Sequence, residues 1–204
     1  MIGILLGTLL GAGFCCPAAV QLANRFSHTP SAWPLREFVI AAVLLAVVFS
    51  VSVARRGAAF TLFLLPLAVL GGAAALVDAR EFRLPDPLVG ALAVVTIGLV
   101  ALAVPLFSRG FTVPLAALSI GVGISALLLV LTPAAWGWGD AKLLPVLSCW
   151  LGVVGPAAAY YAAAFTALTL LPLAAWRVRR SGPGAVTPYG PSLVSATLLA
   201  CTLG

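Results

Sequence analysis

From Pro87 to Leu106, and again from Phe111 to Gly139, the chain runs without a single charged side chain. As a helix, about 20 apolar residues cross the ~30 Å hydrocarbon core of a bilayer, since each residue rises about 1.5 Å. In lipid every backbone N–H needs a partner inside the protein, which leaves helices and closed barrels as the only spanning structures. A barrel would alternate apolar and polar residues over segments of roughly ten. Here the runs are unbroken and rich in Ala, Leu and Val, which is the pattern of buried helix rather than strand. Only 8% of the 204 residues are charged and 63% are hydrophobic, whereas a soluble domain carries about a quarter charged residues. Such a chain cannot cover a globular surface with polar groups. The expected fold is all-α: a polytopic membrane helix bundle of about eight transmembrane helices, in one integral-membrane domain over residues 1–204.

The apolar runs predict helices near 2–24, 38–54, 58–77, 87–107, 113–133, 142–155, 157–176 and 190–204. Pro145 and Gly155 blur the boundary between the sixth and seventh. The longest loops, about 26–37 and 177–189, leave no room for a soluble domain. The N-terminal run has no positive residue before it, and its first charge is Arg25, so it reads as a retained span rather than a cleaved signal.

Eight spans turn charge into orientation. Arg25, Arg36, Arg80, Arg83, Lys142, Arg177, Arg179 and Arg180 fall on one face, and Arg55, Arg56 and Arg109 on the other. The excess of basic residues makes the first face cytoplasmic and puts the N-terminus outside. The net charge of +6 arises from these residues at the ends of apolar runs. No basic stretch is interleaved with aromatics, so a nucleic-acid partner is not expected. The four cysteines, Cys15, Cys16, Cys149 and Cys201, form no C-x-x-C pair. They read as small apolar filler, and neither a metal nor a cofactor is expected.

Among five acidic residues, Asp78 and Asp140 stand where an apolar run meets a short polar segment. A carboxylate beside a bilayer is costly and calls for a reason. Two predicted spans separate them, and an even number returns the chain to the side it left. Both therefore belong to one face, whichever way the bundle is oriented. Two carboxylates sharing one proton can hydrolyse a peptide bond: one takes a proton from water while the other donates to the carbonyl oxygen. Like charges about 3 Å apart cannot both ionise, so such a pair titrates in two steps. His28, the single histidine, has no acidic or cysteine neighbour, and serines such as Ser148 and Ser195 have no identifiable base. Gly137 and Gly139 flank Asp140 and would let a substrate strand approach closely. Lys142 can pair with a carboxylate, hold a lipid headgroup, or mark the cytoplasmic side. A lone aspartate at a helix end is commonly just a cap, and a proton-coupled transporter would also gather carboxylates. On residues alone, peptidase and transporter both stay open.

The segments themselves carry a resemblance. Gly137-Trp-Gly-Asp140-Ala-Lys142-Leu is similar to the G-x-G-D-x-K-L motif of the type IV prepilin peptidases, membrane aspartic peptidases of the GxGD type. Asp78 followed by Leu84-Pro85-Asp86 resembles that family's other aspartate motif. Thr187-Pro188-Tyr-Gly190-Pro191 resembles its P-[FY]-G-P segment before the last helix. The three, within 78–86, 137–142 and 187–191, come in the family's order.

The resemblance implies that Asp78 and Asp140 are the catalytic pair, supported by Pro85, Asp86, Gly137, Gly139, Lys142, Pro188, Gly190 and Pro191. It implies a prepilin or pseudopilin precursor as substrate, cut at the cytoplasmic face of the bacterial cytoplasmic membrane between a basic leader and an apolar helix. Asp86 and Glu81 would attract such a leader. Larger members carry a cysteine-rich zinc domain between the first two spans and methylate the new N-terminus. Here that loop is only about Phe26–Glu37 and has no cysteine, so a short, zinc-free peptidase without methyltransferase activity is expected. The partners implied are the precursor and the lipid bilayer; homo-oligomerisation is left open.

Overall fold

The computed structural model describes residues 2–28, 35–106, 111–132, 136–182 and 187–204. Among them are eight helices and no strand. These are α1 (Ile2–Phe26), α2 (Leu35–Arg56), α3 (Ala58–Glu81), α4 (Asp86–Leu106), α5 (Thr112–Leu131), α6 (Trp138–Val154), α7 (Pro156–Ser181) and α8 (Gly190–Leu203). Arg109, the side chains of Arg36 and Glu37, and parts of the two longest loops lie outside the described residues. The all-helical polytopic expectation holds, with a refinement. By length and composition α1, α2, α3, α5 and α7 can cross a membrane. The described parts of α4 and α8 are apolar but shorter, and α6 has 17 residues with Asp140 and Lys142 near its start.

Two boundaries differ from expectation in a way that matters. α3 runs on to Glu81, so Asp78 lies inside its last turn. α6 starts at Trp138 rather than 142, because Gly137 is its N-cap, with φ −80° and ψ 152°. The glycine–aspartate motif is therefore the first turn of a helix and not the loop before it. Pro145 is accommodated inside α6, and the break falls at Gly155, whose φ of 131° favours glycine,.

Helices α3, α6 and α8 form the interior. α8 packs against α2, α3, α6 and α7, and α6 against α4, α5, α7 and α8. Trp150 of α6 sits at the centre, fully buried, with its ring 4.4 Å from that of Phe63 and its Nε1–H donating to Thr96 Oγ1 at 2.8 Å. The four cysteines are buried and free, as filler. Outside, α5 and α7 present Val130, Leu131, Leu168 and Leu171 outward. In a soluble protein this would invite aggregation, whereas lipid is as apolar as these side chains.

α1 and α2 pair through Gly7 and Gly11, four residues apart. A Cβ at Gly11 would lie 2.4 Å from the backbone oxygen of Leu45, and one at Gly7 would lie 2.4 Å from Ser50 Cα. Small residues at this spacing let helix backbones touch in lipid. Gly11→Ala is expected to destabilise the protein by about 1–3 kcal/mol, since the obstacle is backbone and cannot swing aside. Gly13→Ala meets nothing within 4 Å and should be neutral or stabilising. Thermal unfolding in detergent compares the two; equal midpoints would contradict this packing.

Candidate active site

The first motif ends α3, and its chain reversal rests on an unusual residue. Phe82 closes the helix in the left-handed region, φ 54°, with its N–H bonded to Asp78 O at 3.0 Å. A bulky residue there is strained and must be held by its surroundings. Arg177 of α7 lies over the Phe82 ring, 4.8 Å from its centroid, and such stacking is attractive. Next to it, Arg83 donates from Nη2 to Phe26 O at 2.7 Å and from Nε to Glu81 Oε2 at 2.7 Å. The other oxygen of Glu81 receives Ser27 Oγ–H and, at 2.8 Å, the His28 backbone N–H. Glu81, expected to attract a leader, is instead the clasp joining the end of α1 to the end of α3.

The second motif opens α6. With Gly137 as N-cap, Asp140 is the third residue of the helix, and its carboxylate lies near the Gly137 backbone. The positive end of the helix dipole favours a carboxylate there. Gly139 has no side chain because Leu84 fills the space: a Cβ would lie 2.8 Å from Leu84 Cβ. The close approach at Gly139 is thus to the protein's own first motif, not to a substrate strand as expected. At Gly137 a Cβ would stand 3.4 Å from Asp140 Oδ2, an ordinary contact.

The third motif closes on the first. Gly190 opens α8, and its N–H donates to Asp78 Oδ2 at 2.9 Å. A Cβ at Gly190 would lie 2.9 Å from that same oxygen. Pro191 sits in the first turn of α8, where its missing N–H costs nothing,. Pro188 is buried, and Tyr189 meets Trp136 edge-on with centroids 5.3 Å apart. Trp136 immediately precedes the second motif, so all three segments interlock.

Each aspartate therefore sits at a helix N-terminus: Asp140 in the first turn of its own α6, Asp78 hydrogen-bonded to that of α8. Asp78 is 5% and Asp140 8% exposed. They lie close enough for Asp140 to feel the charge of Asp78, and Arg177 acts on Asp78 in turn. Asp140 Oδ1 is buried and accepts no hydrogen bond among the described residues. Two buried carboxylates near enough to interact, one with an oxygen that accepts no hydrogen bond among the described residues, are the groups that shared acid–base chemistry needs,.

The remaining motif residues support this end of the bundle. Pro85 is buried, and its carbonyl accepts from Leu88 and Val89 N–H at 3.0 and 3.2 Å, starting α4. Lys142 Nζ meets Asp86 Oδ1 at 2.7 Å, both largely exposed, so of its three possible roles it takes the ion pair. Exposed pairs contribute under about 1 kcal/mol. Lys142→Met is accordingly expected to leave the unfolding midpoint in detergent almost unchanged, and a large drop would assign the pair a weight its exposure denies.

The ends meeting here are the C-termini of α1, α3 and α7 and the N-termini of α4, α6 and α8, as parity requires for two aspartates on one face. Arg56, stacked 5.6 Å from the Phe60 ring, marks the other end. Arg177 and Trp136 escaped sequence reasoning. The first was counted only as an orienting charge, and the second bears no signal beyond lying beside a motif.

No curated protein and no solved structure matches the chain. The profile of the Type IV leader peptidase family matches residues 59–174, from the start of α3 to late in α7, including Asp78 and Asp140. With more than half of its length so matched and the two acidic motifs within it, the chain belongs to the type IV leader peptidase family.

Proposed function

We propose that the protein is a membrane aspartic endopeptidase that removes the basic leader from prepilin or pseudopilin precursors, using Asp78 and Asp140 as its acid–base pair. The observation that carries this reading is the convergence of two buried, interacting carboxylates from separate motifs, each at a helix N-terminus. In the reaction, the ionised carboxylate takes a proton from water as the water attacks the scissile carbonyl. The protonated carboxylate donates to the carbonyl oxygen. Collapse of the tetrahedral intermediate passes a proton to the leaving amine and restores the singly protonated pair. The Gly190 backbone N–H holds Asp78, and Asp140 is fixed by its place in the first turn of α6, so neither position depends on a mobile side chain,.

Arg80, Arg83, Lys142, Arg177, Arg179 and Arg180 lie toward the same end of the bundle as the dyad, which supports a site facing the cytoplasm of the bacterial cytoplasmic membrane. The dyad at this end, rather than halfway along the helices, suits cleavage beside an apolar helix better than ion transport. The test is processing of a prepilin-type precursor in membrane vesicles, followed by the mass of the product. Loss of the leader with the wild-type chain and its retention with Asp78→Asn and Asp140→Asn is expected. No cleavage by the wild type, or normal cleavage by either variant, would overturn the reading.

A further inference from the structure

A groove of about 920 Å³ lies between α5 and α7, floored by α6 and α8. α5 and α7 are both candidate spans, so the groove opens into the lipid. It runs from Val113 to Leu128 along α5 and from Pro156 to Leu171 along α7, about 22 Å in each case at helical rise. Among the described residues no charged side chain lines it. On the α7 wall Ala159, Ala163 and Ala167 recur every four residues, exposed on one stripe. Small residues so spaced allow another helix to approach closely.

The end of the groove near the aspartates is walled by Trp136 and Tyr189, the pair that locks the second motif to the third. Trp136 is 8% exposed, and its Nε1–H is buried with no acceptor among the described residues. A buried donor of this kind is costly unless something supplies an acceptor.

We propose that this groove receives the apolar helix of the substrate, and that Trp136 Nε1–H is donated to a carbonyl of the unwound segment leading from that helix to the dyad. The inference rests on the peptidase reading and adds the route by which a membrane-embedded substrate reaches it. Three features favour a peptide helix over a lipid chain as occupant. The groove ends at Trp136 and Tyr189, the chain neighbours of Gly137 and Gly190 that adjoin the two aspartates. Its length matches about 15 residues of helix, and Trp136 at that end carries a donor without an acceptor among the described residues. The methylenes of an acyl chain carry no acceptor for that donor.

The full-length Asp140→Asn protein, carrying p-benzoylphenylalanine at Ala163, is reconstituted in phosphatidylethanolamine–phosphatidylglycerol vesicles. The second component is a precursor with a basic leader and an apolar N-terminal helix. Irradiation is expected to give an adduct mapped to the precursor's helix. The same probe at Ala164, exposed but off the groove, should give at least tenfold less. Lipid adducts alone at Ala163, adducts only between copies of this chain, or equal yields from both positions would overturn the proposal. With the dyad intact, Ala163→Trp should raise KM for the precursor about tenfold and Ala164→Trp should not. Trp136→Phe should lower kcat/KM about tenfold; an unchanged value removes the donor. Cleavage by the wild type is scored separately, so its failure would count against the peptidase while crosslinking still reports on the groove.

Discussion

Asp78→Asn and Asp140→Asn should each reduce precursor processing by at least about 10³-fold. The side chains differ by one atom, so the packing around α3, α6 and α8 is retained. An amide oxygen at position 78 can still accept from Gly190 N–H, as Asp78 does at 2.9 Å. What is lost is the ability to take and return a proton. Because the two acids act as one unit, the double variant should be little worse than either single one. The fold should not suffer, since each change removes charge from a buried position and relieves repulsion between neighbours. Initial rates of leader removal and a detergent melting curve measure both halves. A variant that melts early and is inactive would point to structure, whereas one that melts normally and is inactive points to chemistry. Equal rates for mutant and wild type would remove the residue from the mechanism.

Gly190→Ala has the second largest expected effect, and it arises from geometry alone. The backbone at Gly190 is open to any residue, since it is not among the glycines with positive φ, so α8 should form normally. The added methyl would stand 2.9 Å from Asp78 Oδ2 and 3.2 Å from its Cβ. It must push the carboxylate aside or lengthen the N–H bond that holds it. A displacement on the order of 1 Å costs about 10²-fold in rate. The loss should appear in kcat with KM nearly constant, because the groove and the mouth residues are untouched. A purely structural role for Gly190 would instead lower the melting temperature and leave kcat alone.

Much of this architecture can be read from the residues. The apolar runs place eight helices, because in lipid a backbone has few choices, and parity puts the two aspartates on one face before any contact is known. Sequence reasoning stumbled where polar residues are helical. Gly137-Trp-Gly-Asp140 looks like a loop by composition, yet it is a helix start, with Gly137 as an extended N-cap and Asp140 in the first turn. The roles of Gly139 and Gly190 were invisible for a different reason. A glycine is retained for what occupies its space, here Leu84 and Asp78, and only three-dimensional contact says what that is. Glu81 shows the same limit, since its partners Ser27 and His28 are more than fifty positions away in the chain.

The burial of α3, α6 and α8 behind the lipid-facing helices α5 and α7 has a consequence for how this protein can change. In a soluble domain the greasiest segments are the core and drift slowest. Here many side chains on α5 and α7 face lipid, which accepts any side chain of similar polarity, so those helices are free to exchange Leu, Val, Ile and Ala. The interior helices carry the few polar atoms and the close glycine contacts, and almost none of those positions can move. The segments by which the chain is known for a membrane protein are thus its most replaceable parts, and descent should be traceable mainly through its short polar turns.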